Sequence, residues 1–127
     1  MLMARLPPSA KRMSSKRINN GIRRKAAGAW LRQHRIRCGL TQHELAERVE
    51  IINYTMVSQI EGGKATIQSR DYEKWAIALE LSLYELALYC TFYYQHEAYV
   101  CLFDRTEPSE IIRQRSAGRI SVADATQ

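Results

Sequence analysis

The chain has 127 residues, 46% of them hydrophobic and 25% charged, which gives room for one compact domain plus tails. Its net charge of +6 is unevenly spread: residues 1–43 carry eleven Lys or Arg and no acid, whereas residues 44–127 carry eight basic and thirteen acidic residues. A cationic front on a mildly acidic body points to a polyanionic partner, nucleic acid first and an anionic membrane or acidic protein after it. No run of 18 apolar residues is present, so nothing is expected to span a membrane, and the N-terminus lacks the apolar stretch of a secretory signal. The three cysteines, Cys38, Cys90 and Cys101, come with no Cys-x-x-Cys or His-x-x-x-His pattern. They suit small apolar residues in a reducing cytoplasm, and neither a disulfide framework, a metal site nor a cofactor is expected.

Residues 1–20 contain Pro7-Pro8, several Ser and Asn, and no apolar period, and read as a flexible basic arm. The body, residues 21–103, begins near Gly21. A first helix runs to about Cys38 and stops at Gly39, with Ala27, Leu31, His34 and Cys38 facing inward and Trp30 beside them. Thr41-Gln-His-Glu44 has the form of a capping box, in which the Thr hydroxyl and the Glu carboxylate each satisfy a free backbone N–H. It opens a short second helix that buries Leu45, Ala46 and Val49. After a turn at 50–53, Asn53 caps a third helix from Tyr54 to Glu61, which buries Val57 and Ile60 and ends at Gly62-Gly63. A fourth helix at 70–80 carries Tyr72, Trp75, Ala76 and Leu79 at helical spacing. Ser82-Leu-Tyr-Glu85 repeats the capping-box pattern and opens a fifth, with Leu83, Leu86, Ala87 and Cys90 as its stripe. Tyr84, Leu88 and Phe92 fall on a different face, more than one small core needs. Residues 98–103 (AYVCLF) read as a strand or extended packing segment, and 104–127 as a polar, disordered tail.

Two short capped helices separated by about four residues, the second closed by Gly-Gly, form a helix-turn-helix. The strings Ala27-Gly28-x-Trp30-Leu31-Arg32, Gly39-Leu40-Thr41-Gln42-x-Glu44-Leu45-Ala46-Glu47 and Val57-Ser58-Gln59-Ile60-Glu61-x-Gly63-Lys64 resemble the lambda-repressor-like, XRE-type helix-turn-helix family. The likeness continues through Trp75-Ala76-x-Ala78-Leu79 and Leu81-Ser82-Leu83-x-Glu85-Leu86. It implies an all-α, five-helix DNA-binding domain with a basic N-terminal arm and a short C-terminal extension. It also implies a cytoplasmic regulator of bacterial or phage type that binds double-stranded DNA as a homodimer. The arm is Arg- and Ser-rich and acid-free like an organellar transit peptide, but such a domain favours a DNA arm that follows phosphates or enters a minor groove.

Carried over by position, the resemblance assigns base contacts to Tyr54, Thr55, Ser58 and Gln59, with Gln59 able to bond bidentately to adenine. Gln42, Asn53, Lys64, Arg23, Arg24 and Lys25 are assigned to phosphates, Gln42 through its amide and the free N–H groups of the second helix. Arg35 and Glu61 match a structural pair that aims the third helix. The chain departs from the family pattern in two places. One extra residue lies around Ile51-Ile52, so either Glu50 or Ile51 stands at the usual turn glycine, and the register of Asn53 and Tyr54 is open by one. His34 stands where a leucine is usual. His34, His43 and His96 read as partly buried or solvated side chains without metal spacing, and Trp30, Trp75 and Tyr72 as core.

Seven tyrosines, four of them from Tyr89 to Tyr99, exceed what one core needs. They suit an interface between two copies, for which Leu88, Phe92, Tyr93 and Tyr99 are the candidates, or internal packing of 98–103. No nucleophile with base and orienting group, no paired carboxylates and no phosphate loop are present, so an enzyme is not expected. The competing class is a protein-interaction module, an antitoxin or anti-activator on the same fold. A polar third helix behind a basic front argues against it, and no small-molecule effector is identified.

Overall fold

The computed structural model describes residues 8–118, with side chains described from Asn19 onward. Seven α-helices follow one another: α1 (Pro8–Arg37), α2 (Gln42–Arg48), α3 (Thr55–Glu61), α4 (Tyr72–Ala78), α5 (Leu83–Tyr94), α6 (His96–Phe103) and α7 (Pro108–Ser116). No strand occurs among the described residues, so the fold is all-α as expected. No described helix is long and apolar enough to cross a membrane.

The main core lies among α1 to α5. Leu31, Leu45, Ala46, Val57, Ile60, Trp75, Leu79, Leu86 and Cys90 are buried there, which follows the stripes read from the sequence. Leu83 departs from its stripe and is about half exposed, because Ser82 caps α5 at the rim of the core. Trp30 packs against the core edge and stacks on Tyr89, with ring centroids 4.4 Å apart.

Four of the helices end with the same device, in which a left-handed residue lets two backbone N–H groups return to the last turn. Gly39, Glu50, Gly63 and Glu80 hold that position, at φ of 73°, 61°, 81° and 58°. Around Glu80, for example, its own N–H reaches the Ile77 carbonyl (3.2 Å) and Leu81 N–H the Ala76 carbonyl (2.9 Å).

The structure corrects the sequence reading at three places. α1 begins at Pro8, not near Gly21, so residues 8–20 are helical where a flexible arm was inferred. Proline is tolerated in a first turn, and the Ala-, Lys- and Arg-containing stretch after it has no further proline, so a helix anchored at Ala27 and Leu31 runs on through Gly21. Residues 1–7 of the expected arm lie outside the described residues. The segment 98–103 belongs to α6 and is not extended: Tyr99 and Phe103, four residues apart, both turn toward α5. Finally, Pro108–Ser116 is helical where a disordered tail was expected, with Pro108 and Ile111 buried, Glu110 in its first turn and Arg113 and Arg115 in its last. Residues 119–127 of that tail lie outside the described residues.

Together α6 and α7 cover the second apolar face of α5. Leu88, Tyr99 and Ile111 form a second buried cluster, flanked by Tyr84, Phe92, Phe103 and Ile112. The Tyr99 hydroxyl donates to the Thr106 carbonyl (2.5 Å), and the Arg115 guanidinium lies 3.7 Å from the Tyr84 ring centroid. This corrects two interface candidates. Leu88 (5% exposed) and Tyr99 (1%) are spent inside the chain, because α6 and α7 occupy the face that a second copy was expected to cover. Phe92 is half-buried in the same cluster, and Tyr93 stays half-buried in a ring cluster with Trp30 and Tyr89.

Candidate nucleic-acid interface

The site is built on α2 and α3. The Thr41 hydroxyl accepts from Glu44 N–H (3.0 Å), and the Glu44 carboxylate accepts from Thr41 N–H (2.8 Å), so the capping box forms in both directions. These bonds hold the Glu44 carboxyl below its ordinary range. Only half of the pattern at Ser82 is present as a cap, with Glu85 N–H donating to the Ser82 hydroxyl (3.0 Å).

Between the helices, Glu50 takes the left-handed position, which resolves the choice between Glu50 and Ile51. Ile51 turns back against the core, and its N–H donates to the Ala46 carbonyl (2.8 Å). Asn53 Oδ1 accepts from Thr55 N–H (3.0 Å), and the Asn53 carbonyl accepts from Met56 N–H (3.1 Å). Asn53 therefore caps the start of α3, one residue before the formal boundary at Tyr54. Ile52 lies between the packed Ile51 and the capping Asn53, and its side chain is fully exposed.

From that start α3 buries Val57 and Ile60 and leaves Tyr54, Thr55, Met56, Ser58 and Gln59 exposed. Its far end is closed by Gly63, where Lys64 N–H returns to the Gln59 carbonyl (2.8 Å). α1 crosses close behind. A Cβ at Gly28 would stand 2.1 Å from the Glu61 carbonyl oxygen, and one at Gly63 would stand 2.9 Å from Lys25 Cα. Two glycines thus let the end of α3 seat on the backbone of α1.

Arg35 fixes that contact. Its Nε and Nη2 donate to the two carboxylate oxygens of Glu61 at 2.6 Å and 3.1 Å, while Nη1 donates to the Leu40 carbonyl at 2.7 Å. The side chains are only 11% and 4% exposed, so the pair is a buried, bidentate one. Gln42 differs from the expectation in part. Its Nε2 donates to Glu61 Oε1 (3.0 Å), so one amide N–H is spent on the network and not turned outward.

The basic residues divide by face. Lys64 is exposed just beyond α3, and Lys25 sits against Gly63 beside it. Arg23 faces elsewhere, in a groove with Asn20, Tyr94 and Gln95 at the junction of α5 and α6. Two residues turn a helix by about 200°, so Arg23 and Lys25 cannot share one face. Arg24 is exposed and close enough to Tyr94 to act on its hydroxyl electrostatically. His43, read as solvated, is exposed, and it also stacks on Tyr54 with centroids 3.7 Å apart, tying the first turn of α2 to the start of α3. No periodicity signals that contact, since it joins two helices across a turn of irregular length.

Residues 31–86 match a family model described as helix-turn-helix. The matched segment is similar to the lambda-repressor-like, XRE-type helix-turn-helix family. No curated protein and no solved structure matches the chain. That family is a DNA-binding one of the kind used in transcription regulation. The matched segment takes in the end of α1, all of α2 to α4 and the first turn of α5. The N-terminal extension of α1 and the α6–α7 pair are additions outside it.

Proposed function

We propose that the chain is a sequence-specific regulator of transcription that binds double-stranded DNA as a homodimer on a pseudo-palindromic site, with α3 in the major groove. The observation that carries this reading is the polar, exposed face of α3, propped from behind by the buried Arg35–Glu61–Gln42 network. Seven residues at ~1.5 Å each make ~10 Å, close to the ~12 Å width of the groove. One such helix spans only a few base pairs, which favours two copies on half-sites about one helical turn apart.

In this reading Tyr54, Thr55, Ser58 and Gln59 meet base edges, with Gln59 bidentate on adenine. Asn53, Lys64, Lys25 and Arg24, and the second amide N–H of Gln42, hold phosphates, as point charges or single donors. Arg23 drops out of the contact set, because it faces the α5–α6 junction. The dimer contact falls to Tyr93 with Tyr89 and Trp30, whose rings lie together half-buried at the outer edge of α1 and α5.

Selection from a random duplex pool by the full chain tests this reading. Enriched sequences will share a pseudo-palindrome, and Gln59→Ala will relax the preference at one base pair per half-site, with ~1–3 kcal/mol less discrimination. A single asymmetric site would contradict the dimer. A pool with no enrichment would contradict DNA reading altogether and leave the protein-interaction module as the better account.

A further inference from the structure

The turn between α2 and α3, one residue longer than the resemblance implies, holds two adjacent isoleucines in opposite surroundings. Of the two adjacent isoleucines, Ile51 packs against the core and Ile52 stands fully in solvent, at 105% of its reference area. It is the most exposed of the large apolar side chains described. It is not on a loose loop. On one side, Glu50 Oε1 accepts from Lys74 Nζ of α4 (3.0 Å), and Ile51 N–H is bonded to Ala46. On the other side, Asn53 is fixed by its cap to Thr55, and Tyr54 by its stack on His43. Ile52, Asn53, Tyr54 and His43 line one shallow groove of about 370 Å³, beside the start of the recognition helix.

A braced, β-branched apolar side chain beside polar reading residues has a matching group on duplex DNA, the 5-methyl of thymine, which is the apolar feature of the major groove. From this placement, and resting on the DNA-binding reading above, we infer that Ile52 is a specificity residue that packs on a thymine methyl at the edge of the half-site. Little ordering entropy is lost on contact, because the backbone on both sides is already held. Removing one methyl contact of this kind costs about a fourfold loss in affinity.

The test is a coupling measurement on the duplex selected by the wild-type chain. Each thymine in the half-site is replaced in turn by uracil, which removes only the methyl, and binding is measured for the wild type and for Ile52→Ala. At one position the replacement is expected to weaken the wild type about fourfold and to leave Ile52→Ala unchanged. A thymine methyl read by Thr55 would keep its effect in Ile52→Ala, so the two contacts are separable. Uracil effects that are identical in both proteins, or Ile52→Ala binding with unaltered affinity and preference, overturn the assignment to Ile52 while leaving DNA binding intact. An Ile52 that serves a protein partner would give that second result. Failure of the wild type to bind any duplex overturns both readings at once. Ile52 has no core contact to lose, and a circular dichroism melt checks that the variant folds.

Discussion

Glu61 holds α3 to α1 and α2 through three hydrogen bonds, two from Arg35 and one from Gln42. The pair was legible in the sequence because both residues stand in a recognisable string. The part played by Gln42 was not, because its direction depends on how α2 crosses α3. Removing one partner of a buried pair leaves the other charge desolvated and unpaired, which costs about 3–5 kcal/mol. Glu61→Ala is therefore expected to lower the urea midpoint sharply and to weaken binding to all duplexes alike, without changing base preference. Loss of stability below ~1 kcal/mol would mean that the geometry around Arg35 is not what holds α3.

At the scale of the helix, two of the four left-handed closing positions are filled by glutamate. A side chain there costs about 1–2 kcal/mol, partly offset by the chain entropy that glycine would lose. Glu80 is the better place to test this, since Glu50 also pairs with Lys74. Glu80→Gly is expected to raise stability by about 0.5–1 kcal/mol in urea denaturation, and a lowered midpoint would contradict the assignment of its backbone. Helix ends of this kind were readable where glycine marks them, at Gly39 and Gly63. They were not readable at Glu50 and Glu80, where the fold imposes the conformation on a residue that does not prefer it. The same limit hid α6 and α7. AYVCLF is rich in residues that suit strands, and α7 has few apolar positions, so each becomes a helix only because α5 offers a second apolar face to cover.

For the whole molecule, the basic front, the core stripes and the third helix were all present in the linear pattern, whereas the second cluster needs three helices in contact before it has any meaning. The two clusters also set how stability depends on pH. Burial pushes the Cys90 thiol up from 9.0 to about 12 and the Tyr99 hydroxyl from 10.0 to about 12. Burial likewise raises Tyr72 and Tyr94 well above the ordinary tyrosine range. The folded chain keeps these protons after the unfolded chain has begun to release them. Their contribution is thus complete below about pH 9 and falls as pH rises toward 12. His34 acts in the opposite sense. Burial lowers it from 6.5, so the unfolded chain gains its proton first and stability falls on the acid side. The urea midpoint is expected to hold up to about pH 9 and to drop from there toward pH 12, and an unchanged midpoint would mean that the thiol and phenols are solvated.

All of this converges on one surface, the exposed side of α3 with Lys64 and Lys25 beside it. Amide shifts of the isotope-labelled full chain, followed while the selected duplex is added at low salt, test that surface directly. The perturbed residues are expected to run from Ile52 to Gln59 and to include Lys64 and Lys25, with α6 and α7 little changed and the shifts reversed by added salt. Shifts centred on α6 and α7, or none at any duplex concentration, would contradict the assignment of α3 as the reading helix.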